Sequence, residues 1–394
     1  MRVAFIVIGN SRRSNYLNGD TIRYGGGGGS GTDTSTILVA EYLASQGHEV
    51  AFVTDPLEPG LESQYRDRGI EFISGRVVKG VQYCNHNFDG VDNREFDVLV
   101  SMLWFTKYEE LPITVTKAVM YYSHMQWIYG YEEILKYAQN RNIPLGFIHI
   151  SEWERSMTDS LIQSAKLRYD KVFSTLIPNP VFDEMINEVL QNKPERKSHK
   201  FIFHAAWARG GNVAVDAVRQ LPYEDKEFHA FDYLMATHAH PDEFFHMHNG
   251  VDKRTLFTHI AESEYFIYPL YTPYKDVHKD TFSCVVAEAI ALGAIPITYA
   301  LGALPEYFGD YCVFLTPPDK ADLDTMNKEP LSRDEDGIFT CTDNIVSTIK
   351  LLEGNPTYKN HLRENGKKYI LDRFNLNKVG SMWTDFINQL SNVK

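Results

Sequence analysis

Short runs of β-branched and aromatic residues alternate with stretches of helical periodicity along nearly the whole chain, and the alternation breaks once and restarts. A strand is expected over about 2–8, then a long loop. A helix opens near Thr32-Asp33-Thr34, good N-caps placed before Ile37, Ala40, Leu43 and Ala44 at helical spacing. Gly47 ends that helix and Glu49–Thr54 begins the next strand. Further strands are expected at 71–73, 98–102, 118–122, 145–150 and 171–175, with helical stretches between several of them. Apolar strands separated by helices predict a parallel sheet covered on both faces.

The break falls at 188–200, a polar and charged segment with Pro194 near its centre, which reads as a linker. The pattern resumes with strands at 201–203, 227–231, 265–268, 295–298 and 312–315, a helix through 214–221, and a helical tail from 357. With 394 residues the chain is too long for one core at about 150 residues per domain. Two doubly wound α/β domains in tandem are the expected architecture, with domains at 1–190 and 201–370 around a linker at 191–200.

Charge and cysteine usage remove several function classes. The 39 Lys and Arg against 52 Asp and Glu give a net charge of −13, which argues against a nucleic-acid partner or an acidic membrane coat. The four cysteines Cys84, Cys284, Cys312 and Cys341 form no Cys-x-x-Cys pair, so neither a disulfide framework nor a zinc ribbon is indicated. The N-terminal apolar run is too short for a signal peptide and reads as a strand. The apolar stretch 282–305 carries Glu288 and is broken by Gly293 and Pro296, so no transmembrane segment is expected. A reducing, cytoplasmic location fits these features.

Three segments stand out for chemistry. Gly25–Gly29 with Ser30 and Gly31 lies between the first strand and the first helix. Its amides could approach an anion or a sugar, or the segment is a plain surface loop. Roughly 16 residues separate the strand end from these glycines, too many for a dinucleotide fingerprint. The second segment is Lys279-Asp280-Thr281-Phe282-Ser283-Cys284, followed by an apolar helix holding Glu288 and closed by Gly293, with Thr281 or Ser283 as the cap. Asp280 and Glu288 would stand roughly 12 Å apart, suited to two hydroxylated rings joined by a diphosphate at the helix start. The alternative is a core helix with one satisfied glutamate. The third is the histidine cluster His238, His240, His246 and His248, which lacks the helical spacing of a zinc motif and reads as a polar loop, so no metal site is expected.

The Asp280-to-Glu288 unit, continued by Ala294-Ile295-Pro296-Ile297-Thr298 and Gly302-Ala303-Leu304-Pro305-Glu306, resembles the donor-site signature of retaining glycosyltransferases, glycosyltransferase family 4 in particular. Gly47-His48-Glu49-Val50, Ile177-Pro178-Asn179-Pro180-Val181-Phe182-Asp183, Arg209-Gly210 and Phe374-Asn375 follow in the order of that family's pattern. The resemblance implies a GT-B fold, two Rossmann-like domains facing a cleft, with the C-terminal helix at 371–394 crossing back to complete the first. Three positions depart from the pattern. Asp280 stands for the usual glutamate, Gly302-Ala303 for Gly-Gly, and His204 near the place of a phosphate-binding arginine.

The activity so implied is transfer of a hexose, with retention, from a GDP- or UDP-linked sugar (GDP-mannose the first choice) to a glycan, glycolipid or glycoprotein acceptor. His124, ending the strand at 118–122, would face the transferred sugar and Asp280 would accept from its hydroxyls. Arg209, Gly210, Lys279 and the helix start at Thr281, Phe282, Ser283 and Cys284 would meet the diphosphate, Glu288 the ribose, and Gly28 and Gly29 the donor from the first domain. No cofactor or catalytic metal is expected beyond the nucleotide-sugar substrate. A sugar-nucleotide epimerase, a nicotinamide-dependent dehydrogenase and a non-catalytic glycan-binding module are the competing readings. Acceptor-independent turnover would mark the first, reduced-cofactor absorbance the second, and sugar binding without a donor nucleotide the third.

Overall fold

The computed structural model describes residues 1–7, 18–24, 30–54, 74–102, 111–125, 127–232, 241–270, 279–315 and 342–393. The glycine segment with Gly28 and Gly29, the strand expected at 71–73, His238, His240 and Cys341 lie outside the described residues. The chain divides into two compact units. One runs to Phe182 and regains Arg373–Lys394, and the other is built on Asp183–Asp372.

The first unit is built on an eight-stranded sheet. Its strands are β1 (Arg2–Val7), β2 (Glu49–Thr54), β3 (Val77–Val78), β4 (Val81–Asn85), β5 (Glu95–Met102), β6 (Thr114–Tyr122), β7 (Leu145–His149) and β8 (Val172–Leu176). They are ordered β3-β4-β2-β1-β5-β6-β7-β8, and every pair is parallel except β3 with β4. The pair β3–β4 is absent from the sequence-based reading. Lys79 and Gly80, both at positive φ (46° and 80°), form its tight turn, and Lys-Gly carries none of the usual Asn-Gly or Asp-Gly signal.

Burial explains the order of the central strands. Val3 through Val7 are all at most 1% exposed, because β1 is paired on both edges and covered on both faces. The helix Gly31–Ser45 packs against β2 and β4, opened by a capping box in which Ser30 and Asp33 satisfy each other's backbone amides. The C-terminal helix Leu376–Ser391, capped by Asn375, inserts Trp383 against Phe5 and Tyr122 at ring separations of 6.0 and 4.7 Å. Trp383 is fully buried, so this last helix is part of the first unit's core.

The second unit carries a six-stranded, all-parallel sheet, ordered β11-β10-β9-β12-β13-β14. Its strands are β9 (Lys197–His204), β10 (Glu227–Phe231), β11 (Phe245–His248), β12 (Ser263–Tyr268), β13 (Ile295–Tyr299) and β14 (Val313–Leu315). Two segments differ from expectation. Residues 197–200, expected within a linker, begin β9, and Lys200 is 2% exposed because Glu262 Oε2 accepts from its ammonium at 2.5 Å. A paired lysine on a buried strand is indistinguishable in sequence from a solvated one. Residues 245–248, expected as polar loop, form the edge strand β11, its histidines alternating with Phe245 and Met247. No helix among the described residues is long and apolar enough to cross a membrane.

Candidate functional site

In the second sheet the strand order reverses at β9, whose chain successor β10 lies on one side and β12 on the other. Such a switch point leaves a crevice at the carboxyl ends of its strands, the usual ligand position in open α/β sheets. The segments leaving β9 and β12 supply three polar groups there. Arg209 follows β9 in the short 3-10 turn Trp207–Arg209, Tyr268 is the last residue of β12, and Asp280 lies further along the chain leaving β12.

The three close into one network. Arg209 Nη1 donates to Tyr268 Oη at 2.9 Å and to Asp280 Oδ1 at 3.1 Å, while the Tyr268 hydroxyl donates to Asp280 Oδ2 at 3.0 Å. Arg209 and Asp280 keep partly exposed side chains, 25% and 12%, so each retains capacity toward a ligand. A guanidinium so held offers a fixed positive fork, and the carboxylate offers its remaining lone pairs to hydroxyl donors. Tyr268 was not visible as a site residue in sequence, because a tyrosine ending an apolar strand reads equally well as core.

Glycines fix the backbone around this network. Gly210 takes φ +108°, and a Cβ there would lie 3.1 Å from the ring of Pro269. Gly302 takes φ +61°, and a Cβ there would stand 2.3 Å from the carbonyl oxygen of Asp280, which Ala303 N–H holds at 2.9 Å. Ala303 itself has φ −85°, where a methyl costs nothing, so the Gly-Ala pair keeps the one glycine the approach to Asp280 requires.

The helix Cys284–Ala291 begins beside Asp280 without the expected side-chain cap. Ser283 occupies the cap position at φ +69°, its hydroxyl makes no cap bond, and its Oγ is buried without a hydrogen-bond partner. A left-handed serine costs on the order of 1–3 kcal/mol and persists where packing over-determines it. Phe282, fully buried against Tyr307 and Phe308 at 5.0 and 5.7 Å, does so here. The Ser283 side chain therefore makes no capping bond at this helix start, the end of a helix that carries partial positive charge. Lys279 and Thr281 are half-buried nearby in sequence, and Cys284 is buried.

Glu288 has a partner that the sequence could not name. Lys253 Nζ lies 3.0 Å from its carboxylate, and the two side chains are 8% and 2% exposed. Burial pushes the Glu288 carboxyl above its ordinary range, and the lysine works against that rise. Lys253 also acts on His204, the last residue of β9, whose pKa is pushed down to about 3 by burial first and that positive charge second. The Nδ1–H of His204 lies 3.2 Å from the Phe231 carbonyl.

His124 belongs to the first unit, just beyond β6. It is 6% exposed, its ring packs edge-on against Tyr122 at 4.1 Å, and burial pushes its pKa down to about 3. The Tyr122 hydroxyl donates to Asn179 Oδ1 at 2.5 Å. Ser123, in turn, donates to Glu154 Oε1 at 2.6 Å, and Glu154 Oε2 lies 3.0 Å from His149 Nδ1. Ser123, His149 and Glu154 are all fully buried, so this network anchors the turn that carries His124. The structure thus brings Arg209 and Asp280 together with Tyr268, and Glu288 together with Lys253, and sets His124 in the other unit.

The sequence matches no protein-family model and no curated protein. Solved structures do match its fold. A sucrose-phosphate synthase from Thermosynechococcus elongatus is 13% identical, with a TM-score of 0.64 over 99% of this chain and 98% of that one. A glycosyltransferase from Rickettsia africae is 11% identical, with a TM-score of 0.57 over 100% of this chain and 99% of that one. The catalytic domain of starch synthase IV from Arabidopsis thaliana, bound to ADP and acarbose, is 9% identical, with a TM-score of 0.52 over 100% of this chain and 99% of that one. At these identities the likeness establishes the fold. Two parallel-sheet α/β units in this order make the GT-B fold.

Proposed function

We propose that this chain is a glycosyltransferase that takes a hexose from a nucleoside-diphosphate sugar. The Arg209–Tyr268–Asp280 network at the switch point carries this reading. The chemistry that needs such a set is departure of a diphosphate from a sugar carbon. Negative charge grows on the leaving oxygen as the sugar turns oxocarbenium-like, and fixed donors placed at that oxygen stabilise the transition state most. Arg209, Lys279 and the amides at Ser283 and Cys284 are assigned to the diphosphate, with Gly210 and Phe282 shaping their backbone and Thr281 the helix approach. Asp280 accepts from hydroxyls of the transferred sugar. His124, neutral at physiological pH, offers a ring N–H or lone pair to that sugar without adding charge.

Glu288 is assigned to the ribose hydroxyls, with Lys253 keeping it ionised, and Gly28 and Gly29 to the donor. Donors of first choice are GDP- and UDP-hexoses, with GDP-mannose leading. Acceptors are a glycan, glycolipid or glycoprotein, the configuration is retained, no catalytic metal is required and the location is cytoplasmic. Asp280 has a role in this reading that does not depend on donor base.

The test is calorimetric titration of the purified chain with GDP, UDP, ADP and their hexose conjugates, followed by transfer assays with the tightest donor. One diphosphate binding with at least micromolar affinity, weakened in Arg209→Ala, supports the assignment. A folded protein that binds none of the nucleotides would remove it.

A further inference from the structure

One face of the second sheet, on the side of β11, is polar where a covered sheet face is normally apolar. Register places Lys200, Ile202 and His204 of β9, Glu227, His229 and Phe231 of β10, and His246 and His248 of β11 on that face. The helix Lys253–Glu262 adds His259 and Glu262 to the group, through contacts with Phe231, Lys200 and the histidines. Three of these histidines, from three different elements, converge. The rings of His229, His248 and His259 stand 4.7 to 5.0 Å apart centre to centre, and one nitrogen from each lies within 4.8 Å of the other two.

We propose that His229, His248 and His259 bind a divalent transition metal of the zinc class through one ring nitrogen each, with water filling the remaining position. Imidazole nitrogens sit about 2.0–2.1 Å from zinc, so tetrahedral ligand atoms stand roughly 3.3 Å apart. The nitrogens here bracket that value, from 2.8 Å between His229 Nδ1 and His248 Nε2 to the 4.8 Å limit of the trio.

One neighbour of the trio has the character of a metal site's outer partner. Glu227 Oε2 lies 3.2 Å from His229 Nε2. A carboxylate there accepts that ring's N–H and leaves Nδ1 with a lone pair facing the centre, the outer partner that metal-bound histidines commonly have. The ammonium of Lys200 donates both to His259 Nδ1 at 3.1 Å and to Glu262 Oε2 at 2.5 Å, so a metal on His259 has to displace the first of these contacts and leave Lys200 on Glu262. His229 is buried while His248 and His259 are half-buried, which leaves a path for an ion and a water ligand. Apolar residues at the three positions would pack this helix on the sheet without desolvating any imidazole. His246, its ring 4.8 Å from that of His229 on the same strand face, is exposed beside the trio.

This site is separate in role from the proposed donor residues. It ties β10 and the edge strand β11 to the helix Lys253–Glu262, so its function is structural, and imidazole ligands select Zn, Ni, Co or Cu over Mg and Ca. The experiment uses tag-free, chelator-treated full-length protein, titrated with Zn²⁺ and with Co²⁺. The expected result is one metal per chain, visible cobalt d–d absorption, and a higher melting temperature with zinc. In His248→Ala and His259→Gln, affinity falls by on the order of 100-fold or more. Circular dichroism of the metal-free variants confirms that they fold, and His246→Ala, which alters a histidine outside the trio, controls for surface binding. Folded wild-type protein that binds neither metal, or binding that survives both ligand substitutions unchanged, overturns the proposal.

Discussion

The Lys253 ammonium lies 3.0 Å from the Glu288 carboxylate inside the second unit, with only 8% and 2% of the two side chains exposed. Each charge is there on the other's account. An isolated carboxylate in an apolar helix would be neutralised or expelled, and a lone ammonium would fare no better.

Removing one partner therefore costs more than a hydrogen bond. Glu288→Gln should lower unfolding free energy by about 3 kcal/mol, because it strands the Lys253 charge. Adding Lys253→Met should recover most of that loss, since the pair is then replaced by groups that need no ionic partner. Urea unfolding of the two single variants and the double variant measures this coupling. A double variant no more stable than Glu288→Gln would show that the pair is not coupled. Nucleotide affinity must be compared at matched folded fractions, so that loss of the ribose contact assigned to Glu288 is not confused with unfolding.

Arg209 is held by Tyr268 and Asp280 within the same unit, and its substitution separates charge from shape. Arg209→Ala should weaken a nucleoside diphosphate by on the order of 10- to 100-fold, the loss expected for charge-assisted bonds, and leave the nucleoside alone nearly unchanged. Tyr268→Phe, which removes only the hydroxyl joining the two, should cost a smaller part of the same selectivity. Calorimetry with both ligands decides it, and equal losses for diphosphate and nucleoside would mean that Arg209 meets no phosphate.

Most of this architecture is legible in the sequence because parallel strands buried on both faces leave continuous apolar runs, as β1, β2, β7 and β12 do. What escapes is whatever depends on pairing across the chain. The strand β4 is short and half-apolar, β3 has two residues, and their turn uses Lys79-Gly80. Lys200 looks solvated until Glu262 is placed beside it, and Lys253 looks like any helix-start lysine until Glu288 faces it. The histidines show the same limit. His246 and His248 stand two residues apart in sequence, but the convergent set joins His248 to His229 and His259 from other elements. Asp280 and Arg209 lie in recognisable sequence patterns, whereas the tyrosine hydrogen-bonded to both does not.

Burial of neutral histidines predicts a pH dependence of stability. His124 and His204 are pushed from 6.5 down to about 3, so the unfolded chain binds more protons than the folded one between those values. Stability contributed by these groups is present above pH 6.5 and lost as pH falls through that window. For His124 the loss should reach about 2 kcal/mol by pH 5. Asp33 works in the opposite sense, because burial raises it to about 6 and acidification relieves its charge. The clean measurement is thus the difference between wild type and His124→Gln in urea unfolding at pH 7 and pH 5. A difference that does not change with pH would show that His124 is protonated in the folded protein.

The remaining prediction concerns what His124 does when folded. It stands just past β6 on a turn anchored by the Ser123–Glu154 hydrogen bond of 2.6 Å, with its ring against Tyr122. A side chain held that firmly can meet a reacting sugar without paying for its own ordering at the moment of transfer. His124→Ala should then lower turnover by on the order of tenfold or more while nucleoside-diphosphate affinity stays within a few-fold, because a contact made chiefly in the transition state changes kcat and leaves ground-state binding alone. Ser123→Ala leaves the imidazole in place but frees the turn, so it should produce a weaker loss of the same kind. If His124 is only a core residue, the alanine variant melts at lower temperature and its binding and turnover fall together. Unchanged turnover in a folded His124→Ala protein would take the residue out of the reaction altogether.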